Sequence, residues 1–334
     1  MKLRLFGRYV LTYTVAMLAG CGGSQPPIGA PGAMPQATAL AAHADRGKSW
    51  MAPGLAKKDL LYVPAGPYVY VYSYPEGKHV ATFAGFYIAD AACGDSHNGH
   101  VFIVNYAGTF SMPAGVYIYA HGGTNPINVL PASGPVGCGV DPTSGDLAVG
   151  ILGEGSMPAS VLVYKNANGS PRSYTNPRIG KFFYCGYDDK GNLFADGVTS
   201  PSGTGDFILA ELPKGGKSLE VITMKQYIGW PGQVQWDGKY LTIEDAAGIG
   251  YKESNIYRFT VHGREAARVG QINLGGAYEV HQSWIQDKVL LLPACAKVGG
   301  CDEIQYYKYP GGGLPFKKIK TLTYGVVVSL APKR

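Results

Sequence analysis

An aromatic phrase returns six times along this chain. It reads Val69-Tyr-Val-Tyr-Ser-Tyr-Pro-Glu-Gly77, Val116-Tyr-Ile-Tyr-Ala-His-Gly122 and Val161-Leu-Val-Tyr-Lys-Asn-Ala-Asn-Gly169. It continues as Phe207-Ile-Leu-Ala-Glu-Leu-Pro-Lys-Gly215, Ile256-Tyr-Arg-Phe-Thr-Val-His-Gly263 and Ile304-Gln-Tyr-Tyr-Lys-Tyr-Pro-Gly-Gly312. The first positions are 47, 45, 46, 49 and 48 residues apart. A near-constant step of this size, carrying several short strands per step, predicts an all-β chain in which each step is one blade of a propeller. The expected fold is a six-bladed β-propeller.

Each step carries the same further signals. In Cys138-Gly-Val-Asp-Pro-Thr-Ser-Gly-Asp-Leu147, Cys185-Gly-Tyr-Asp-Asp-Lys-Gly-Asn-Leu193 and Val234-Gln-Trp-Asp-Gly-Lys-Tyr-Leu241, one strand leads into an Asp/Gly turn and a second strand. Asp141, Asp188 and Asp237 are placed to accept from the N–H groups of their own turns, and Gly145, Gly191 and Gly238 tolerate positive φ. Turn chemistry accounts for these carboxylates more simply than a ring of metal ligands. No leading strand precedes Leu60-Leu-Tyr-Val63, whereas Tyr324-Gly-Val-Val-Val-Ser-Leu-Ala-Pro332 is like the leading stretch Pro135-Val-Gly-Cys-Gly-Val-Asp-Pro142. The C-terminal strand is therefore expected to complete the first blade, closing the ring and removing exposed strand edges.

The chain's beginning is of a different kind. Lys2, Arg4 and Arg8 precede an apolar stretch, Tyr9 to Leu18, too short to span a bilayer as a helix. It ends in Leu18-Ala19-Gly20-Cys21, which resembles the lipobox of bacterial lipoproteins. The resemblance implies a signal peptide over residues 1–21, lipid on Cys21, and an extracytoplasmic, envelope-anchored domain. Gly22 follows the cysteine where an Asp would signal inner-membrane retention, which favours the outer membrane. Residues 22–56 are rich in Gly, Pro and Ala and read as a flexible tether, leaving 57–334 for the propeller.

The repeats, with Gly137-Cys-Gly-Val-Asp-Pro142 and Ala210-Glu-Leu-Pro-Lys-Gly215, resemble six-bladed propellers of the NHL-repeat and SMP-30/gluconolactonase-like kind, and also uncharacterised bacterial lipoproteins. The lactonase branch implies a divalent metal, held at the channel mouth by acidic and Asn side chains. Those ligands do not map residue by residue onto this chain, so the activity is not carried over with the fold.

The candidate site residues are polar groups at the ends of second strands, namely Asn105, Glu154, Asp196, Glu244 and Asp245, with His281 opening the last inner strand. Converging oxygens of this kind suit Ca²⁺ or another divalent ion; solvated loop ends are the plainer expectation. His97-x-x-His100 is a weaker metal signal. Tyr62, Tyr68, Tyr70, Tyr106, Trp236 and Trp284 are expected to pack between blades, with Trp230 the best candidate for a stacking surface. No Gly-x-Ser-x-Gly elbow, phosphate loop or His-Glu-x-x-His occurs, so no catalytic residue is named.

The chain has six cysteines. Cys295 and Cys301 bracket a short loop and are expected to be joined in an oxidising compartment. Cys93, Cys138 and Cys185 occupy equivalent leading-strand places; the simplest expectation is three small buried residues, with a bridge between two of them or a thiolate metal site as alternatives. The net charge of +6 is scattered and partly in the leader, with no basic stripe for nucleic acid. The expected function is an envelope-anchored module binding a protein or small ligand. The alternative is a metal-dependent, lactonase-like hydrolase at the channel mouth.

Overall fold

The computed structural model describes residues 49–332 except 109–111, 154–156, 247–253, 279, 281 and 298–299. The described residues are all-β: antiparallel strands in curled sheets, with two short 3-10 turns and no α-helix. From repeat to repeat the chain draws the same meander. Pro135–Val140, Leu147–Ile151, Ser160–Tyr164 and Arg172–Tyr174 pair in sequence order, and Lys181–Tyr187, Leu193–Val198, Phe207–Leu212 and Glu220–Met224 repeat the pattern. From the second repeat on, the aromatic phrase is the third strand of its meander; the first phrase continues the long strand Leu60–Ser73.

Burial falls from the inner strands outward. Every residue of Val101–Asn105, Leu147–Ile151, Leu193–Val198 and Leu241–Asp245 is buried. A strand packed on both faces has no solvent side, so its sequence loses the alternation of a half-exposed strand and becomes a short apolar run. The outermost strands, such as Gly312–Lys320, keep one wet face. The aromatic phrase fills the space between neighbouring sheets: Tyr119, Tyr164, Phe259 and Tyr306 are buried there.

The turns follow the expected chemistry. Asp141 accepts from the Thr143 N–H at 2.7 Å, Asp188 from Lys190 N–H at 2.9 Å, and Asp237 from Lys239 and Tyr240 N–H at 2.9 and 2.7 Å. Asp95 does the same for His97 N–H at 2.8 Å. Asp237 also takes an ion pair from Arg258 at 2.8 Å.

The inner strands touch backbone to backbone. A Cβ on Gly139 would lie 2.6 Å from the Cys185 carbonyl oxygen, and one on Gly186 would lie 2.4 Å from that of Val234. Glycine after Cys138 and after Cys185 is therefore a requirement of this close approach. The contacts run in order along the chain. Cys93 is bonded to Cys138, Gly139 meets Cys185, Gly186 meets Val234, and the Gln235 side chain exchanges two hydrogen bonds with the Ile285 backbone. At the chain's end, Val327–Ser329 pairs antiparallel with Leu60–Tyr62. Val326 and Val328 share one apolar cluster with Leu61, Val63, Leu291, Ile304 and half-buried Trp284.

Two expectations need correction. The ordered sheet begins before residue 57: Trp50–Met51 pairs with Ala81–Thr82, and Leu55 is buried, because these apolar side chains complete the first cluster. Cys93 and Cys138 are not merely small buried residues; they are bonded, with Cα atoms 5.8 Å apart, since the glycines let adjacent inner strands come within bridging distance. Cys185 is the buried free thiol of the three, and burial pushes its pKa up. Cys295 and Cys301 are joined to each other.

Removing residues 323–334 should withdraw three buried valines and uncover Leu61, Val63 and Ile304. At roughly 1.5 kcal/mol or more per buried Val, the domain should melt at least about 10 °C lower or become insoluble. A truncated domain with Tm within two or three degrees of the intact one, measured by calorimetry, would show the strand to be dispensable. Opening Cys93–Cys138 releases a loop of 45 residues. The double variant Cys93→Ala/Cys138→Ala should therefore lose about 2–4 kcal/mol in denaturant unfolding, and an unchanged midpoint would refute this.

Candidate functional site

Polar residues from three of the repeats gather around the inner strands. Asp90 comes from His79–Gly94, Tyr184 from Lys181–Tyr187, Gln233 from Pro231–Trp236, and Asp196 and Glu244 from the second strands behind them. Asp196 and Glu244 hold the same place in their repeats, fourth in Leu193-Phe-Ala-Asp and Leu241-Thr-Ile-Glu. Both are fully buried, and Gln233 is only 5% exposed.

The cluster is short of hydrogen-bond donors. Asp196 Oδ1 accepts the Tyr184 N–H at 2.8 Å, where the inner strand departs from regular pairing; the Gly232 N–H comes near enough to ease ionisation, but Oδ2 has no partner in bonding geometry. Gln233 gives its Nε2–H to the Val234 carbonyl at 3.0 Å and leaves Oε1 unpaired. Neither carboxylate oxygen of Glu244 makes a hydrogen bond. The Ser283 hydroxyl and Gln233 N–H come near enough to ease its ionisation, but not in bonding geometry. Buried polar atoms without partners are rare, and each calls for an explanation such as a bound ion, water or catalytic role.

Electrostatics follow from the burial. Burial pushes Glu244 up to about 8, with the charges of Asp245 and Asp196 adding to it. At neutral pH it is mostly the neutral acid. Burial likewise raises Asp90 to about 6 and holds Asp196 well above the usual carboxylate range. Tyr184 is raised by burial and then by Asp90, Asp196 and Glu244, which puts one phenol within the field of all three acids.

Gln233 also reaches a cavity of about 410 Å³ along the inner strands, whose wall includes Gln235, Trp236, Trp284, Gln286 and Ser329. That volume suits a small ligand. Gln282 reaches across to the neighbouring inner strand, where its side chain bonds both the N–H and the carbonyl of Ala92.

The other sequence candidates have structural work. Asn105 Oδ1 accepts the Ile88 N–H at 3.1 Å, and its amide donates to the Met112 and Pro113 carbonyls at 3.4 and 3.2 Å. Asp245 Oδ1 accepts the N–H groups of Gly229 and Trp230 at 3.0 and 3.2 Å. Both are buried clamps on the strand entering the next sheet and not solvated loop ends. Glu154 and His281 lie outside the described residues. His97 donates from Nε2 to the Pro142 carbonyl, and among the described residues no three His, Cys, Asp or Glu side chains converge to hold a metal ion. Tyr184 and Gln233 were missed because nothing local marks a Tyr or Gln in an apolar strand as a channel-side residue.

No protein-family model matches the chain, and no curated protein matches its sequence. Among solved structures it is similar to a Bacteroides fragilis protein named "putative 6-phosphogluconolactonase". The TM-score is 0.52, the likeness covers 83% of this chain and 99% of that one, and the sequences are 12% identical. An identity this low shows the fold alone. The chain thus has an all-β, propeller-type fold. These comparisons add nothing on NHL repeats or a lipoprotein leader.

The pH dependence of stability should report Glu244. Its pKa in the fold, about 8, lies above its ordinary 4.5. Its contribution is therefore fully present below about pH 4.5 and is lost as pH rises toward 8. Glu244→Gln should melt several degrees above the native protein at pH 8 and close to it at pH 4.5. Parallel melting curves across that range would contradict this.

Proposed function

We propose that the chain is a lipid-anchored binding module of the cell envelope, taking a small, donor-bearing ligand in the channel of a closed six-bladed propeller. Six blades are supported by the six-fold aromatic repeat and by the order of inner-strand contacts. That order leads from Cys93–Cys138 through Gly139, Gly186 and Gln235 to Trp284, which packs with the C-terminal valines. Ring closure is supported by the pairing of Val327–Ser329 with Leu60–Tyr62. The anchor rests on the sequence alone, since Cys21 and the tether lie outside the described residues.

One observation carries the site: four buried oxygens without partners, on Asp196, Gln233 and Glu244, of which Gln233 alone also lines the 410 Å³ cavity. With the carboxyls ionised all four are acceptors, so the complement of that state is a donor or a cation. Oxygen ligands suit Ca²⁺ or Mg²⁺. Asp196, Gln233 and Glu244 would hold such an ion, which would supply the missing positive charge. A third acidic or His ligand does not converge on them among the described residues, so no chemical step is routed through a metal.

Hydrolysis of a lactone-like ester is the second reading. It is favoured by Glu244, a neutral acid at pH 7 able to donate a proton, and by the likeness to a protein named as a lactonase.

Two measurements separate these readings. Titration of the soluble Cys21→Ser protein with Ca²⁺ and Mg²⁺ should raise Tm, and Glu244→Gln or Asp196→Asn should abolish the rise. No rise with either ion would remove the cation from the proposal. Turnover of δ-gluconolactone that Glu244→Gln eliminates would favour the hydrolase. For the anchor, Cys21→Ser should move the protein out of the membrane fraction, and its retention there at high salt would disprove lipid anchoring.

A further inference from the structure

A second concavity lies away from the channel cluster, between the fourth and fifth meanders. It measures about 590 Å³, and Phe207, Met224, Tyr227 and Trp230 line it. Tyr227 is 72% exposed. Trp230 is half-buried, standing edge-to-face to Phe183 with ring centroids 5.6 Å apart. Its backbone is fixed on both sides: the N–H donates to Asp245 Oδ1 at 3.2 Å and the carbonyl accepts the Ala246 N–H at 3.1 Å. A fixed loop that presents a large flat ring loses little freedom when something stacks on it.

We infer that this groove binds a neutral carbohydrate chain, stacked on Trp230 and Tyr227. Its chemistry excludes the other common occupants. An extended peptide would add to an open strand edge, but pairing with Glu265 and Ala266 takes Thr223 and Met224 of the groove's strand and leaves only Glu220, Val221 and Ile222 as open edge, too short for a strand. Glu220, Val221 and Ile222 pair with Phe207–Leu212, and Thr223 and Met224 pair with Glu265 and Ala266. A polyanion would need clustered cations; the groove offers one Arg178 against one Asp206. What remains is aromatic surface with a rim of Thr199, Thr204 and Thr223. Sugars match that combination, with apolar C–H faces for stacking and hydroxyl edges for the threonines. Asp245 then acts as a positioning residue that sets the Trp230 loop.

The experiment is an array of neutral and charged glycans probed with the soluble Cys21→Ser protein, followed by calorimetry on the strongest hit. Neutral glycans should be bound, and Trp230→Ala should weaken binding about tenfold or more, as truncating a buried aromatic anchor does. Tyr227→Ala, at a site too exposed to matter for folding, should weaken it as well. This second variant keeps the test decisive if Trp230→Ala unfolds. Binding of charged glycans alone, of none, or of a neutral glycan whose affinity neither variant changes would overturn the proposal.

Discussion

The structure depends on how closely its inner strands approach. Neighbouring sheets meet backbone to backbone at Gly139 and Gly186, where any side chain would collide with the next strand's carbonyl. Close approach has three consequences. It brings Cys93 and Cys138 within bridging distance. It buries the second strands on both faces, which turns them into apolar runs. It also buries Asp196 and Glu244 completely.

That last consequence makes the interior unusual. Most buried polar groups in this chain are satisfied locally: Asp141, Asp188 and Asp237 by their turns, Asn105 and Asp245 by the strand entering the next sheet. Asp196 and Glu244 occupy equivalent places in their strands, yet only one of their four oxygens is bonded. Burial then favours the neutral acids. Two acids with raised pKa stand close to Gln233, whose side chain lines the cavity. The rest of the fold shows no comparable unsatisfied cluster among the described residues.

The aromatic residues divide in a similar way. Those of the third-strand phrase fill the spaces between sheets, as Tyr119, Tyr164 and Phe259 do. Trp230 and Tyr227 sit on a connection between meanders, where no sheet covers them. Position within the repeat, not residue type, separates packing from recognition.

The sequence by itself determined the repeat, the all-β class and the turns, because each follows from local spacing: a step near 47 residues, Asp at a turn start, Gly at positive φ. It also named Asp196 and Glu244 as polar ends of second strands, with solvated loop ends as the plainer expectation; the structure buries both completely. Only the tertiary structure decided which polar residues do what. Asn105 and Asp245 look like channel ligands in sequence, yet their partners are backbone groups 17 and 15–16 residues away. The bonding of Cys93 to Cys138, and not to Cys185, depends on inter-strand distances that no spacing encodes. Tyr184 and Gln233 reach the acid cluster because neighbouring repeats are packed together. Local rules fix what each residue bonds within its own repeat, and packing between repeats fixes which groups are left without a partner.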